Sequence, residues 1–180
     1  MCRRQPAFPG KVDTRKRMGF FRKQRSGCSV GPSIAEGFFL SDTTIDAATI
    51  QAYRDTEYQV HGDEPFTLRI GEASLVLPAV HKRHRVVCSA YVTAYNPYSQ
   101  MLDGASNAQR HADLGLELRQ RSLFALEGLG QHPAHLWPGE VSLLILGLTL
   151  EAAKTLGARL EQNASVWSGA DAVPHLILLR

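Results

Sequence analysis

The sequence predicts an α+β domain, a mixed, mostly antiparallel sheet with two or three helices packed on one face, behind a basic N-terminal arm. Three observations predict it. From Ser41 onward, short alternating or wholly apolar runs are interleaved with helical patterns. Turn residues separate the runs at close intervals. Before Ser41 the chain is rich in Arg, Lys, Pro and Gly and has no apolar period.

The elements follow in order. In "SDTTIDAATIQAYRDT", Ser41 and Asp46 are candidate N-caps ahead of Ile45, Ile50 and Tyr53, which predicts a short helix. "EYQVH" and "FTLRIG" alternate apolar and polar residues around the turn "GDEP", the pattern of a hairpin with one buried face. "SLVLPAVHKRHR" stays ambiguous between strand and helix, because Pro78 interrupts it and bases crowd its end. "VVCSAYVTAY" is β-branched, aromatic and free of charge, so it predicts a central strand covered on both faces.

Beyond the polar turn "NPYSQ", residues 106–122 carry Ala108, Ala112, Leu114 and Leu118 at helical spacing, with Ser106 as the candidate cap. "LFALEG" and "EVSLLILGL" predict two further strands around the loop "LGQHPAHLWPG". Thr149 stands as the cap of a helix whose stripe is Leu150, Ala153, Leu156 and Leu160. "ASVW" and "PHLILLR" predict two last strands joined by "SGADAV". The order from residue 86 on is strand, helix, strand, strand, helix, strand, strand, which is roughly ferredoxin-like.

Charge separates the chain into an arm, residues 1–40, and a domain, residues 41–180. The chain holds 20 Lys and Arg against 17 Asp and Glu; residues 1–25 take nine bases and one acid, leaving 11 bases and 16 acids beyond them. The folded part is therefore mildly acidic and offers nucleic acid no basic face; only the arm does. Such an arm suits a transit peptide, a nucleic-acid tail or a membrane-surface tail, or reflects a later start of translation such as Met18. No segment reaches the length of a membrane span, and a cytoplasmic protein is expected. Cys2, Cys28 and Cys88 are odd in number and far apart, which argues against a disulfide framework and a thiolate zinc site.

Candidate chemistry concentrates at the junction of residues 93–110. Asn96-Pro97 turns the chain out of its strand, and Asn107 and Arg110, three residues apart, share a face at the start of the next helix. Amides, backbone N–H groups and a guanidinium together suit a carboxylate or phosphate; the alternative is that Asn96 and Ser99 satisfy local backbone and Arg110 pairs with an acid. Glu127 and Glu140 bracket a loop: pairing of its flanking strands would bring two carboxylates together as an acid and base couple or a cation site, and the favoured alternative is two separate acids, at the surface or salt-bridged. Trp137 is placed to line a pocket or to pack at the loop's base. Gln162 and Asn163 stand where the last helix turns into a strand, with capping the expected role of Asn163. The pairs His81/His84 and His132/His135 complete no known ligand pattern, Ser99 and Cys88 have no evident base, and no glycine loop has a phosphate-binding context. No cofactor and no metal are expected.

"YVTAYNPYSQ", the helix start at Asn107 to Arg110, "WPGEVSLLILGL", "QNASVW" and "LILLR" form an ordered set. On these motifs the chain, from about Ile45 to Arg180, resembles the bacterial family named domain of unknown function 3293. The resemblance implies that Thr93, Asn96, Pro97, Ser99, Asn107, Arg110, Trp137, Glu140, Gln162, Asn163 and Ala164 occupy motif positions; it implies no activity. One departure is that Glu161 stands where the family pattern has glycine, at a turn where backbone freedom or close ligand approach matters. Three functions follow as expectations: a domain binding a small polar or anionic ligand, a protein-interaction module without a pocket, and a hydrolase or transferase using Glu140.

Overall fold

The computed structural model describes residues 43–135 and 137–180. The basic arm, Ser41, Cys2 and Cys28 lie outside the described residues. Seven strands form one sheet: β1 (Glu57–Val60), β2 (Phe66–Leu68), β3 (Ser89–Thr93), β4 (Ala125–Gln131), β5 (Glu140–Leu146), β6 (Ala164–Ser168) and β7 (Pro174–Leu178). Their order is β2-β1-β4-β5-β3-β6-β7, and every neighbouring pair is antiparallel, so the sheet is not mixed among the described residues. The uncharged β3 lies inside the sheet between β5 and β6, with Ser89 to Val92 buried.

Register then assigns the faces, because side chains alternate along each strand. Tyr91 lies opposite Leu144 and Val166, Gly130 opposite Glu140, and Tyr58 opposite Gly130 and Leu68, which puts these residues on one face. Val92, Leu143 and Ile145 occupy the other. There they bury with Leu114 and Leu118 of α3 (Gly104–Gln120) and Ala153 and Leu156 of α4 (Leu150–Arg159).

The first face has a core of its own. Leu77 and Val80 of α2 (Leu77–His84) pack with Tyr58, Val60, Leu68, Tyr91, Leu144 and Leu146. Helices thus cover both faces, a correction to the one-face reading. The segment that escaped assignment supplies the difference: Pro78 stands in the first turn of α2, where a missing N–H is not needed by the helix. His81 of α2 is buried at hydrogen-bond distance from Ser89 Oγ, 2.9 Å, and burial holds its imidazole below the ordinary histidine range.

Local signals set the helix starts. Asp46 caps α1 (Ala47–Asp55) by accepting from the Thr49 N–H at 2.9 Å, and Thr149 caps α4 through the Ala152 N–H at 3.3 Å. The cap of α3 is Asp103 rather than Ser106, whose N–H and hydroxyl both donate to the Asp103 carboxylate. Strand β4 runs to Gln131, past Gly128 and Gly130, which interrupt its apolar pattern. Gly128 is needed where it stands: a Cβ there would meet the Gln59 carbonyl and come within 2.6 Å of Tyr91 Oη.

Candidate functional site

The site begins where β3 ends. Asn96, Tyr98 and Ser99 all hold left-handed backbone, with φ of 47°, 49° and 59°, a conformation that L residues adopt at a cost and Asn tolerates best. Tertiary hydrogen bonds hold the turn there. The Asn96 N–H donates to Asn107 Oδ1 at 2.9 Å, and Asn96 Oδ1 accepts from Asn107 Nδ2 at 2.9 Å and from the Leu102 N–H at 3.1 Å. The Tyr98 N–H donates to the Glu161 carbonyl at 2.6 Å. Asn163 Nδ2 donates to Ser99 Oγ at 2.9 Å and to Tyr53 Oη at 3.2 Å, so the turn is tied to both α1 and the start of β6.

Asn96 also reaches the first residue of β5. Its Nδ2 donates to Glu140 Oε1 at 2.7 Å. Burial pushes the Glu140 carboxyl above the usual carboxylate range, and the Asn96 hydrogen bond opposes the rise without cancelling it. The second carboxylate oxygen, Oε2, has no hydrogen-bond partner among the described residues.

Around Glu140 lies a cavity of about 510 Å³, between α1, the loop after β3 and the uncovered part of the first sheet face. Thr93, Asn96, Ser99, Asn107, Trp137, Glu140 and Gln162 line it. Arg110 and Asn163 stand behind the wall. Arg110 Nε donates to the Ala94 carbonyl and Nη2 to the Leu160 carbonyl, each at 2.8 Å, and Nη1 lies 3.8 Å from the exposed Glu161 carboxylate. Its guanidinium clamps the end of β3 to the turn after α4. Thr93 Oγ1 donates to the Val141 carbonyl at 2.8 Å, Gln162 Nε2 to the Tyr95 carbonyl at 2.9 Å, and the Trp137 ring sits 4.8 Å from that of His132.

Glu127 and Glu140 form no couple. Strands β4 and β5 do pair, but Glu127 faces Leu143 and Glu140 faces Gly130, positions of opposite parity, so the sheet separates the two acids. Glu127 meets His111 instead, at 3.2 Å. His84 packs on Phe124, and His132 Nδ1 accepts from the Ala134 N–H, so neither histidine pair converges.

The cavity walls contain residues that the motif reading passed over: Tyr53, Tyr58, Tyr91, Tyr95 and Ser142. Tyr91 and Thr93 recur two positions apart on β3, the one signal in the sequence that they share a face. Tyr58 joins them only through the pairing of β1 with β4, and Tyr53 only through the seat of α1.

Fold and site together define a small α+β domain with a half-buried acid in a tyrosine-lined cavity. Residues 92–165 match the family described as "Protein of unknown function (DUF3293)", which is the family that the motifs resemble. That span carries the Asn96 turn, Arg110, Glu140 and the Gln162-Asn163 pair, and leaves out α1 and β1, whose Tyr53 and Tyr58 complete the cavity. Neither curated proteins nor solved structures provide a match to the chain.

Proposed function

We propose that the chain binds a small polar ligand in the cavity around Glu140. One observation carries the reading: polar groups of β3, the following turn, α3, β5 and the turn after α4 converge on an open space, although their mutual hydrogen bonds would suffice for a closed corner. An anion loses its main support, since the Arg110 guanidinium is engaged by the Ala94 and Leu160 carbonyls. Arg110 and Asn163 enter as positioning residues that hold the wall.

The fold part of the proposal is that β3-α3-β4-β5-α4-β6, in the order β4-β5-β3-β6, form a ferredoxin-like unit, with α3 and α4 on the face away from the cavity. Such a unit hosts many activities, so function is argued from the cavity alone. A cytoplasmic setting belongs to the same proposal; among the described residues no helix is long and apolar enough to cross a membrane.

A broad screen of polar small molecules by thermal shift tests the reading, because a ligand that binds only the folded state raises its stability. Wild type is compared with Ala52→Trp, which puts an indole into the cavity from α1. Ligands that stabilise wild type and leave the variant unmoved are the expected result. Equal shifts in both proteins, or none in either, would overturn the proposal.

A further inference from the structure

The hydrogen-bond valences left open on the cavity wall say which chemistry it suits. Tyr58 Oη donates its proton to the Tyr53 carbonyl at 2.7 Å, Tyr91 Oη to the Gln59 carbonyl at 2.8 Å, and Ser142 Oγ to the Glu140 carbonyl at 3.0 Å. Thr93 Oγ1 gives its proton to Val141 in the same way, and Gln162 Nε2 is held by Tyr95. A hydroxyl has one proton and two lone pairs, so these hydroxyls, their protons taken, offer a ligand acceptors. Tyr53 and Ser99 share one O–H hydrogen bond and both accept from Asn163, which leaves a single donor O–H on an otherwise acceptor-rich wall.

Charge points the same way. Among the described residues no Lys, Arg or His lines the cavity, and Glu140 is its one acid. Glu140 Oε1 is engaged by Asn96 while Oε2 is unpartnered. A half-buried carboxylate with one oxygen open to the cavity is costly by itself and becomes favourable when a cation pairs with it. Aromatic rings on the wall, among them Tyr58 and Tyr91 packed edge to face at 5.3 Å, suit a cation carried on an apolar body.

We propose that the cavity takes a nitrogenous cation, an amine, amidine or guanidine on a small apolar body, with Glu140 Oε2 as its counter-ion. The inference rests on the ligand-binding reading above and adds the sign of the ligand. It gives an acceptor-rich wall a preference by charge: cations and N–H donors pair with Glu140 and the open lone pairs, while carboxylates and phosphates meet the negative charge of Glu140.

The test uses the full chain and matched probes of one shape: benzylamine and benzamidine against benzyl alcohol and benzoate, with binding read by calorimetry or by ligand-observed NMR. The cations are expected to bind at least tenfold more tightly than the alcohol or the benzoate, a ratio equal to about 1.4 kcal/mol. Glu140→Gln is expected to remove that advantage, and Ala52→Trp to abolish binding. If that Gln variant does not fold, the comparison of benzylamine with benzyl alcohol on wild type decides the matter without it. Equal or tighter binding of the alcohol or benzoate would overturn the cation inference and leave the cavity reading standing. Cation binding that persists in Ala52→Trp would place the probe elsewhere and overturn the inference as well. Failure of all four probes, together with an empty wider screen, would overturn both readings.

Discussion

Glu161 offers the sharpest test of the backbone beneath the site. It follows the last turn of α4 with φ of 60°, and its flanking bonds, Gln162 N–H to the Gly157 carbonyl and Glu161 N–H to the Ala158 carbonyl, form a Schellman end that usually takes glycine. A left-handed L residue costs about 1–2 kcal/mol. Glycine returns part of this, about 0.5–1 kcal/mol, through its greater freedom in the unfolded chain. The pair with Arg110 spans 3.8 Å, with the Glu161 side chain 48% exposed, and such pairs contribute about 0–1 kcal/mol, here near the low end. Glu161→Gly should therefore stabilise the domain by about 0.5–1 kcal/mol. Urea unfolding checks it: the midpoint should rise with the m-value unchanged. Glu161→Ala keeps the strained backbone and loses the carboxylate, so it should stay within about 0.5 kcal/mol of wild type. A glycine variant no more stable than the alanine variant would refute the strain argument. The stake reaches the cavity, because the Glu161 carbonyl holds the Tyr98 N–H at the turn beside it.

Three further outcomes follow from the same geometry. Burial raises the folded-state pKa of Glu140, so ionising it costs stability as pH rises from the ordinary carboxylate range through that raised value; Glu140→Gln should gain most over wild type at neutral pH and little near pH ~4. Thermal unfolding across that range reads the gap, and a gap constant with pH would contradict it. Arg110→Lys should destabilise by about 2–4 kcal/mol in denaturant unfolding, since one ammonium cannot bridge the Ala94 and Leu160 carbonyls as the guanidinium fork does. Gly128→Ala should cost about 1–3 kcal/mol or more by the same measurement, because its Cβ would displace the Tyr91 hydroxyl from the Gln59 carbonyl.

Where information is short-range, sequence and structure agree closely. The caps Asp46 and Thr149, the hairpin of β1 and β2 and the β6–β7 turn depend on neighbours within a few residues. The Asn96 turn, Asn107, Glu140 and Gln162 stood out because amides and a carboxylate beside strand ends are conspicuous. The cap of α3 moved from Ser106 to Asp103 because both residues have the needed oxygen and only the backbone path chooses between them. The shape of β4 was obscured by Gly128 and Gly130, which leave no apolar alternation to read.

Residues 43–180 by themselves determined the alternation of helices and strands, an uncharged central strand and the cluster of polar residues near residue 96, since all three are written in local period and residue type. Register and strand order decided the rest. Pairing in steps of two sent Glu127 and Glu140 to opposite faces and set Tyr58 and Tyr91 on the face of Glu140, while the seats of α3 and α1 turned Arg110 toward backbone carbonyls and brought Tyr53 to the same acid. Those outcomes depend on partners dozens of residues away, where a slip of one position would exchange the faces, and no local pattern encodes them.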